Sequence, residues 1–245
     1  MQAFLDGFAD RPAQQKCAQT VIKAVERWAI VRDLLPHAIT TGTEAPGGTG
    51  GYEPWADEHV DLAERHTRPH LARVITLAAN TGQRGSDLVK MRWSDIEEYE
   101  GRPGIKVIQK KTGLPLWIPF TQELMRAITT WARRPTFILL KEDDQPFTRA
   151  QLSDQWLRER NALPALAPLA EASCTLHGLR ATACVRLLRS GAQTRQIGDM
   201  VGMSEQMVKR YVRFAAQREN ALAAVHFLDK TKPEQHLIKR RENSD

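Results

Sequence analysis

His177 and Arg180 lie three residues apart in the stretch Thr175–Arg213, which reads TLHGLRATACVRLLRSGAQTRQIGDMVGMSEQMVKRYVR. On one face of an α-helix that spacing makes them neighbours, so an imidazole and a guanidinium can converge on a single oxygen-rich group. Further along, Tyr211 is set among Lys209, Arg210 and Arg213, and a phenol among cations is a candidate nucleophile. Each feature also has a plainer reading. An H-x-x-R pair occurs in many helices, and a tyrosine at helical spacing is often a packing residue.

The elements that must position these groups are legible around them. After the Gly191 stop, a short helix runs from about Thr194 to Val201, and Ser204 caps the helix that carries Tyr211. Upstream, Trp55–His66 and Pro69–Asn80 have the periodicity of amphipathic helices. Pro69 opens the second at a first-turn position and Thr81-Gly82 closes it. Arg84 follows that glycine, and Gly85–Met91 restarts a helix. Trp93–Glu100, Gly104–Gln109 and Leu116–Pro119 read as short strands with turns at Gly101–Pro103 and Lys111–Gly113. They predict a three-stranded antiparallel sheet with Lys110 and Lys111 at a hairpin tip. Thr121–Arg134 and Thr148–Asn161 read as helices, the latter opened by the capping box Thr148-x-x-Gln151, and Leu163–Glu171 as a loop holding Pro164 and Pro168. Glu219 to about Asp229 predicts a short apolar helix of its own, followed by a charged tail to Asp245.

At the other end, Gln2 to about Ile39 shows the periodicity of two helices, too little to bury a core alone. The run TTGTEAPGGTGGY, Thr40–Tyr52, reads as a linker, and its glycines fit neither G-x-G-x-x-G nor a phosphate-binding P-loop.

In 245 residues, 42% of them hydrophobic, there is enough apolar side chain to fill a globular core. The net charge of +6 divides into −4 over residues 1–100 and +10 over residues 101–245. The basic excess lies with the candidate site and suggests a polyanionic partner, most simply nucleic acid. Cys17, Cys174 and Cys184 form no C-x-x-C pair, which argues against a disulfide framework or a cysteine zinc site. No carboxylate pair or histidine cluster at metal spacing appears, and no cofactor is expected. With no signal peptide and no apolar run of about 18 residues, the expectation is a soluble cytoplasmic protein without membrane contact.

Four segments together resemble the tyrosine recombinase, or phage integrase, family: TGQRGSDLVKMRWSDI at Thr81–Ile96, QKKTGLPLWIPF at Gln109–Phe120, HGLR at His177–Arg180, and Tyr211 in VKRYVR. They occur in the family's order and on the expected elements, over roughly Tyr52 to Arg218. The resemblance implies a mainly α fold with a small three-stranded antiparallel sheet, the catalytic domain of a DNA breaking and rejoining enzyme. It divides the chain into residues 1–39, a helical remnant of a core-binding domain; 40–52, a linker; 53–218, the catalytic domain; and 219–245, a C-terminal helix and tail.

Roles follow from the resemblance residue by residue. Arg84 and Arg180 would neutralise the charge that builds on a phosphodiester under attack, because two planar donor forks match phosphate oxygens. Tyr211 would attack phosphorus to give a 3′-phosphotyrosyl intermediate, with His177 as general base or phosphate ligand. Lys111 would protonate the departing 5′-oxygen, and Asp87 would orient a catalytic cation. Met203 stands at a fifth phosphate position, where the family carries a His or Trp donor. Lys110, Lys209, Arg210 and Arg213 are expected to contact DNA. The implied partner is double-stranded DNA, held by a homotetramer on synapsed duplexes, for a bacterial or phage-encoded recombinase or integrase. The other readings are a type IB topoisomerase-like relaxing enzyme and a catalytically silent DNA-binding remnant.

Overall fold

The computed structural model of the chain describes residues 1–44, 52–134 and 136–231. Two compact units divide it, Met1–Gly50 and Gly51–Asp245. In the first, α1 (Gln2–Asp6) is followed by α2 (Pro12–Ile30), which opens on a proline whose missing N–H costs a helix start nothing. The chain leaving α2 folds back on it. The Thr40 N–H donates to the Glu26 carboxylate at 3.0 Å, and Gln19 donates to the Thr43 hydroxyl at 3.0 Å. Of the linker, residues 45–51 lie outside the described residues.

The second unit is mainly α with one three-stranded antiparallel sheet. Its central helix is α4 (Pro69–Thr81), which follows α3 (Asp57–His66) and is apolar on nearly every side. Leu71, Val74, Ile75 and Leu77 are wholly buried, each burial stabilising by about 1.5–3 kcal/mol. A helix buried all round becomes the post on which others are hung. After the single turn α5 (Gly85–Leu88) come β1 (Ile96–Tyr99), β2 (Arg102–Ile108) and β3 (Pro115–Pro119). Ile96 pairs with Ile105, and Ile108 with Pro115. Alternation along β2 puts Ile105 and Val107 inward and leaves Lys106 and Ile108 exposed.

The remaining helices are α6 (Gln122–Thr130), α7 (Arg149–Ala162), α8 (Ala167–Glu171), α9 (Gly178–Arg189), α10 (Thr194–Val201) and α11 (Glu205–Thr231). The capping box at α7 forms as its sequence predicts, with the Gln151 N–H donating to the Thr148 hydroxyl and the Thr148 N–H to the Gln151 side chain. Two expectations need correction. Leu163–Glu171 is not a loop: Pro164 starts a 3-10 turn and Pro168 sits in the first turn of α8. Prolines at these positions initiate helical turns, and Leu166 and Leu169, wholly buried, hold the segment down. Nor is Glu219–Asp229 a separate helix. It is the distal half of α11, which runs from Glu205 to Thr231 without a glycine or proline to stop it. Residues 232–245 of the tail lie outside the described residues. Among the described residues no helix is long and apolar enough to cross a membrane.

Candidate active site

Two helices end on left-handed glycines beside one arginine. Gly82 (φ 63°) terminates α4 and Gly202 (φ 70°) terminates α10. At Gly82 a Cβ would also lie 2.7 Å from Val201 Cγ1, so both conformation and space demand glycine. Arg180, in the first turn of α9, donates from Nη1 to the Gly82 carbonyl (2.6 Å) and from Nη2 to the Gly202 carbonyl (3.3 Å). It is 1% exposed. Burial, and then the nearby charge of Arg84, bring its pKa down to about 10, which leaves it a cation at neutral pH. A guanidinium has five donors. The two spent on the C-caps lock its position and leave others for a ligand.

Arg84 caps α5 in extended conformation and donates from Nη1 to Gln109 Oε1 at 3.0 Å. Gln109 is wholly buried and fully paired. Its Oε1 also accepts from Thr112, and its Nε2 donates to Gln83 Oε1 (2.9 Å) and to the Val201 carbonyl (2.9 Å). One amide thus ties Arg84, the β2–β3 hairpin and the end of α10 together. Asp87, 1% exposed, accepts the Lys110 backbone N–H at 2.9 Å, with its other oxygen 4.0 Å from Arg84 Nη1. The hairpin base is therefore fixed, while Lys110 and Lys111 stand exposed at its turn.

Ser204 caps α11, accepting the Met207 N–H at 3.4 Å, and the helix carries Tyr211 to His177. His177 Nε2 lies 3.1 Å from Tyr211 Oη. His177 is the cap residue of α9 and not part of the helix, so it and Arg180 meet across the first turn. Burial first, then Arg180, Arg84, Arg149 and Lys111, push its pKa from 6.5 down to about 4. Burial raises the pKa of Tyr211 while Arg180 and Arg84 oppose the shift. The result is a protonated phenol facing a neutral imidazole.

That depression has a measurable consequence. Between about pH 4 and 6.5 the unfolded chain binds a proton at His177 that the folded protein does not. His177 is therefore neutral with no effect on stability above pH 6.5, and destabilises the fold progressively as pH falls from there to about 4. Ring NMR of the DNA-free protein should show His177 still neutral at pH 6. A midpoint near 6.5 would contradict this environment.

The cations near Tyr211 are not those adjoining it in sequence. Residues one or two apart on a helix do not share a face, and Lys209, Arg210 and Arg213 are exposed on α11 while Tyr211 is half-buried. Arg180 and Arg84 take their place. Met203 is half-buried against Ile197, Val201 and Val208, and its thioether donates no hydrogen bond. Three residues that sequence reasoning missed belong here. Gln109 continues the inward alternation of Ile105 and Val107, a signal that would have placed its amide inside. Arg149, the first residue of α7, and Tyr52, whose ring centroid is 4.3 Å from that of His177, carry no local signal. Among the described residues no group of three or more His, Cys, Asp or Glu is placed to hold a metal ion.

The fold is shared with known integrases. A lambda integrase dimer bound to a COC′ core site matches at TM-score 0.66 and 23% identity over 85% of this chain and 62% of that one. A lambda integrase tetramer bound to a Holliday junction matches at 0.63 and 21% over 82% and 62%. The Tn1549 transposon integrase in complex with a circular intermediate DNA matches at 0.64 and 15% over 89% and 83%. The chain thus spans less than two thirds of the length of these two lambda integrase chains. No curated protein sequence matches it. The model of the phage integrase family matches residues 58–218, which hold Arg84, the β2–β3 hairpin, His177, Arg180 and Tyr211. By that match, over well more than half of its length, the chain belongs to the phage integrase family.

Proposed function

We propose that the protein is a site-specific recombinase that cleaves and rejoins duplex DNA through Tyr211. The observation that carries this reading is the 3.1 Å approach of Tyr211 Oη to a neutral His177, beside two arginines. Tyr211 Oη attacks the phosphorus of a phosphodiester and its proton passes to His177 Nε2. The bond from phosphorus to the 5′-oxygen breaks, and Lys111 gives that oxygen a proton. A 3′-phosphotyrosyl bond and a free 5′-hydroxyl result. Arg84 and Arg180 neutralise the charge on the non-bridging oxygens, and such preorganised donors are typically worth about 10²–10³-fold each. Because one phosphate ester is exchanged for another, a second 5′-hydroxyl can reverse the step without ATP. Asp87 holds the hairpin base beside Arg84.

Lys110, Lys209, Arg210 and Arg213 would lie along the DNA backbone, where the DNA-bound integrase structures support a duplex partner and a tetramer on synapsed sites. The residues at 1–39 would be the end of a core-binding domain, and the protein would work in the cytoplasm on bacterial or phage DNA. Trapping on a nicked suicide duplex tests cleavage. Strand exchange between two duplexes then separates recombination from simple relaxation.

Lys111 gives a further expected result. Lys111→Ala should slow cleavage by about 10²–10⁴-fold, the usual contribution of a general acid. A duplex with sulfur at the bridging 5′ position should restore most of that loss, since a thiolate departs without a proton. Equal slowing on both duplexes would remove Lys111 from the role of acid.

A further inference from the structure

We propose that Tyr52 is a positioning residue for strand cleavage, its ring holding the His177 imidazole so that Nε2 faces Tyr211. The proposal rests on the reading of Tyr211 as nucleophile and adds to it the group that aims the base.

The imidazole is in contact with two tyrosines. Tyr211 meets Nε2 at 3.1 Å, and the Tyr52 ring packs edge-to-face on the imidazole, with centroids 4.3 Å apart and planes at 61°. A catalytic histidine is commonly aimed by a hydrogen bond to its second nitrogen. Among the described residues no side chain or backbone group makes that bond to His177. Packing is left to hold the ring, and Tyr52 is the aromatic ring in contact with it besides the nucleophile.

The backbone explains why Tyr52 can hold this place. Three residues on, the Trp55 N–H donates to Thr182 Oγ1 at 2.7 Å and its indole Nε1 donates to the Thr175 carbonyl at 2.8 Å. The Trp55 ring stacks on Trp156 in the core, with centroids 5.1 Å apart. The Glu53 carbonyl lies against Gly178, where a Cβ would come within 2.7 Å of it. The segment is thus fastened to the first turns of α9, the helix that His177 caps. Tyr52 itself is 54% exposed. Its truncation sacrifices little buried surface, so the variant should fold.

The test uses the whole chain, a nicked suicide duplex and ring NMR of His177. Tyr52→Ala should slow adduct formation by about 10- to 100-fold, the range for a misaligned catalytic group, with DNA affinity unchanged. Tyr52→Phe keeps the ring and should recover most of the rate. In the same proteins the His177 ring-current shift and its low midpoint, set by burial with Arg180, Arg84, Arg149 and Lys111, should move toward ordinary values in Tyr52→Ala and stay in Tyr52→Phe. Wild-type cleavage by Tyr52→Ala, a Phe variant as slow as the Ala variant, or unmoved His177 resonances would each overturn the proposal alone. A wild-type chain that forms no adduct would overturn the Tyr211 reading and this proposal with it.

Discussion

Tyr211→Phe should abolish the SDS-resistant protein–DNA adduct while leaving DNA affinity essentially unchanged. The substitution removes one hydroxyl and keeps the ring, which is half-buried against the cluster of Cys184, Val185, Ile197, Val201 and Val208. The packing of α11 on α9 and α10 therefore survives, and the cost to stability is one hydrogen bond, about 1 kcal/mol. No charge changes, so the electrostatic part of DNA binding does not change either. If an adduct persists, the nucleophile is elsewhere. Tyr52, packed on the same imidazole, is then the first alternative, and the double substitution Tyr52→Phe with Tyr211→Phe would locate it.

Arg180→Ala should have the next largest effect, because this side chain serves structure and chemistry together. Its removal deletes a phosphate donor and strands the Gly82 and Gly202 carbonyls that end α4 and α10. Each orphaned carbonyl costs about 1–3 kcal/mol, partly offset by no longer burying a cation. Cleavage should fall by at least about 10³-fold. Arg180→Lys should restore charge but not cleavage, since one ammonium cannot reproduce a planar fork spanning two carbonyls and a phosphate. Thermal unfolding checks the structural part, and suicide-duplex trapping checks the chemical part. A folded Arg180→Ala protein that cleaves near the wild-type rate would remove Arg180 from the site.

What could be read ahead of the structure was whatever depends on neighbours in sequence. Pro69 and Gly82 bracket α4, because helix starts and left-handed stops are local chemistry, and the Thr194–Val201 periodicity gives α10. Alternation found the strands. The same local rules fail at Pro164 and Pro168, because a proline signals a loop and a first helical turn alike, and at Glu219, where no glycine or proline divides α11. The site is a different matter. That Tyr211 meets His177 depends on how α11 crosses α9, and that Gln109 binds Arg84 depends on where the hairpin lands. The family resemblance supplied those residues as a set, without their contacts. Tyr52 and Arg149 lay outside the set and outside any local pattern.

The central claim is that Tyr211 Oη forms the bond to phosphorus. Its most direct test is to trap the chain on a nicked suicide duplex, digest the adduct with protease and nuclease, and map the nucleotide-bearing peptide by mass spectrometry. The account predicts a phosphonucleotide on Tyr211, in the peptide beginning after Arg210. A nucleotide on Tyr52 or on a serine, or no adduct from a folded, DNA-binding chain, would contradict it.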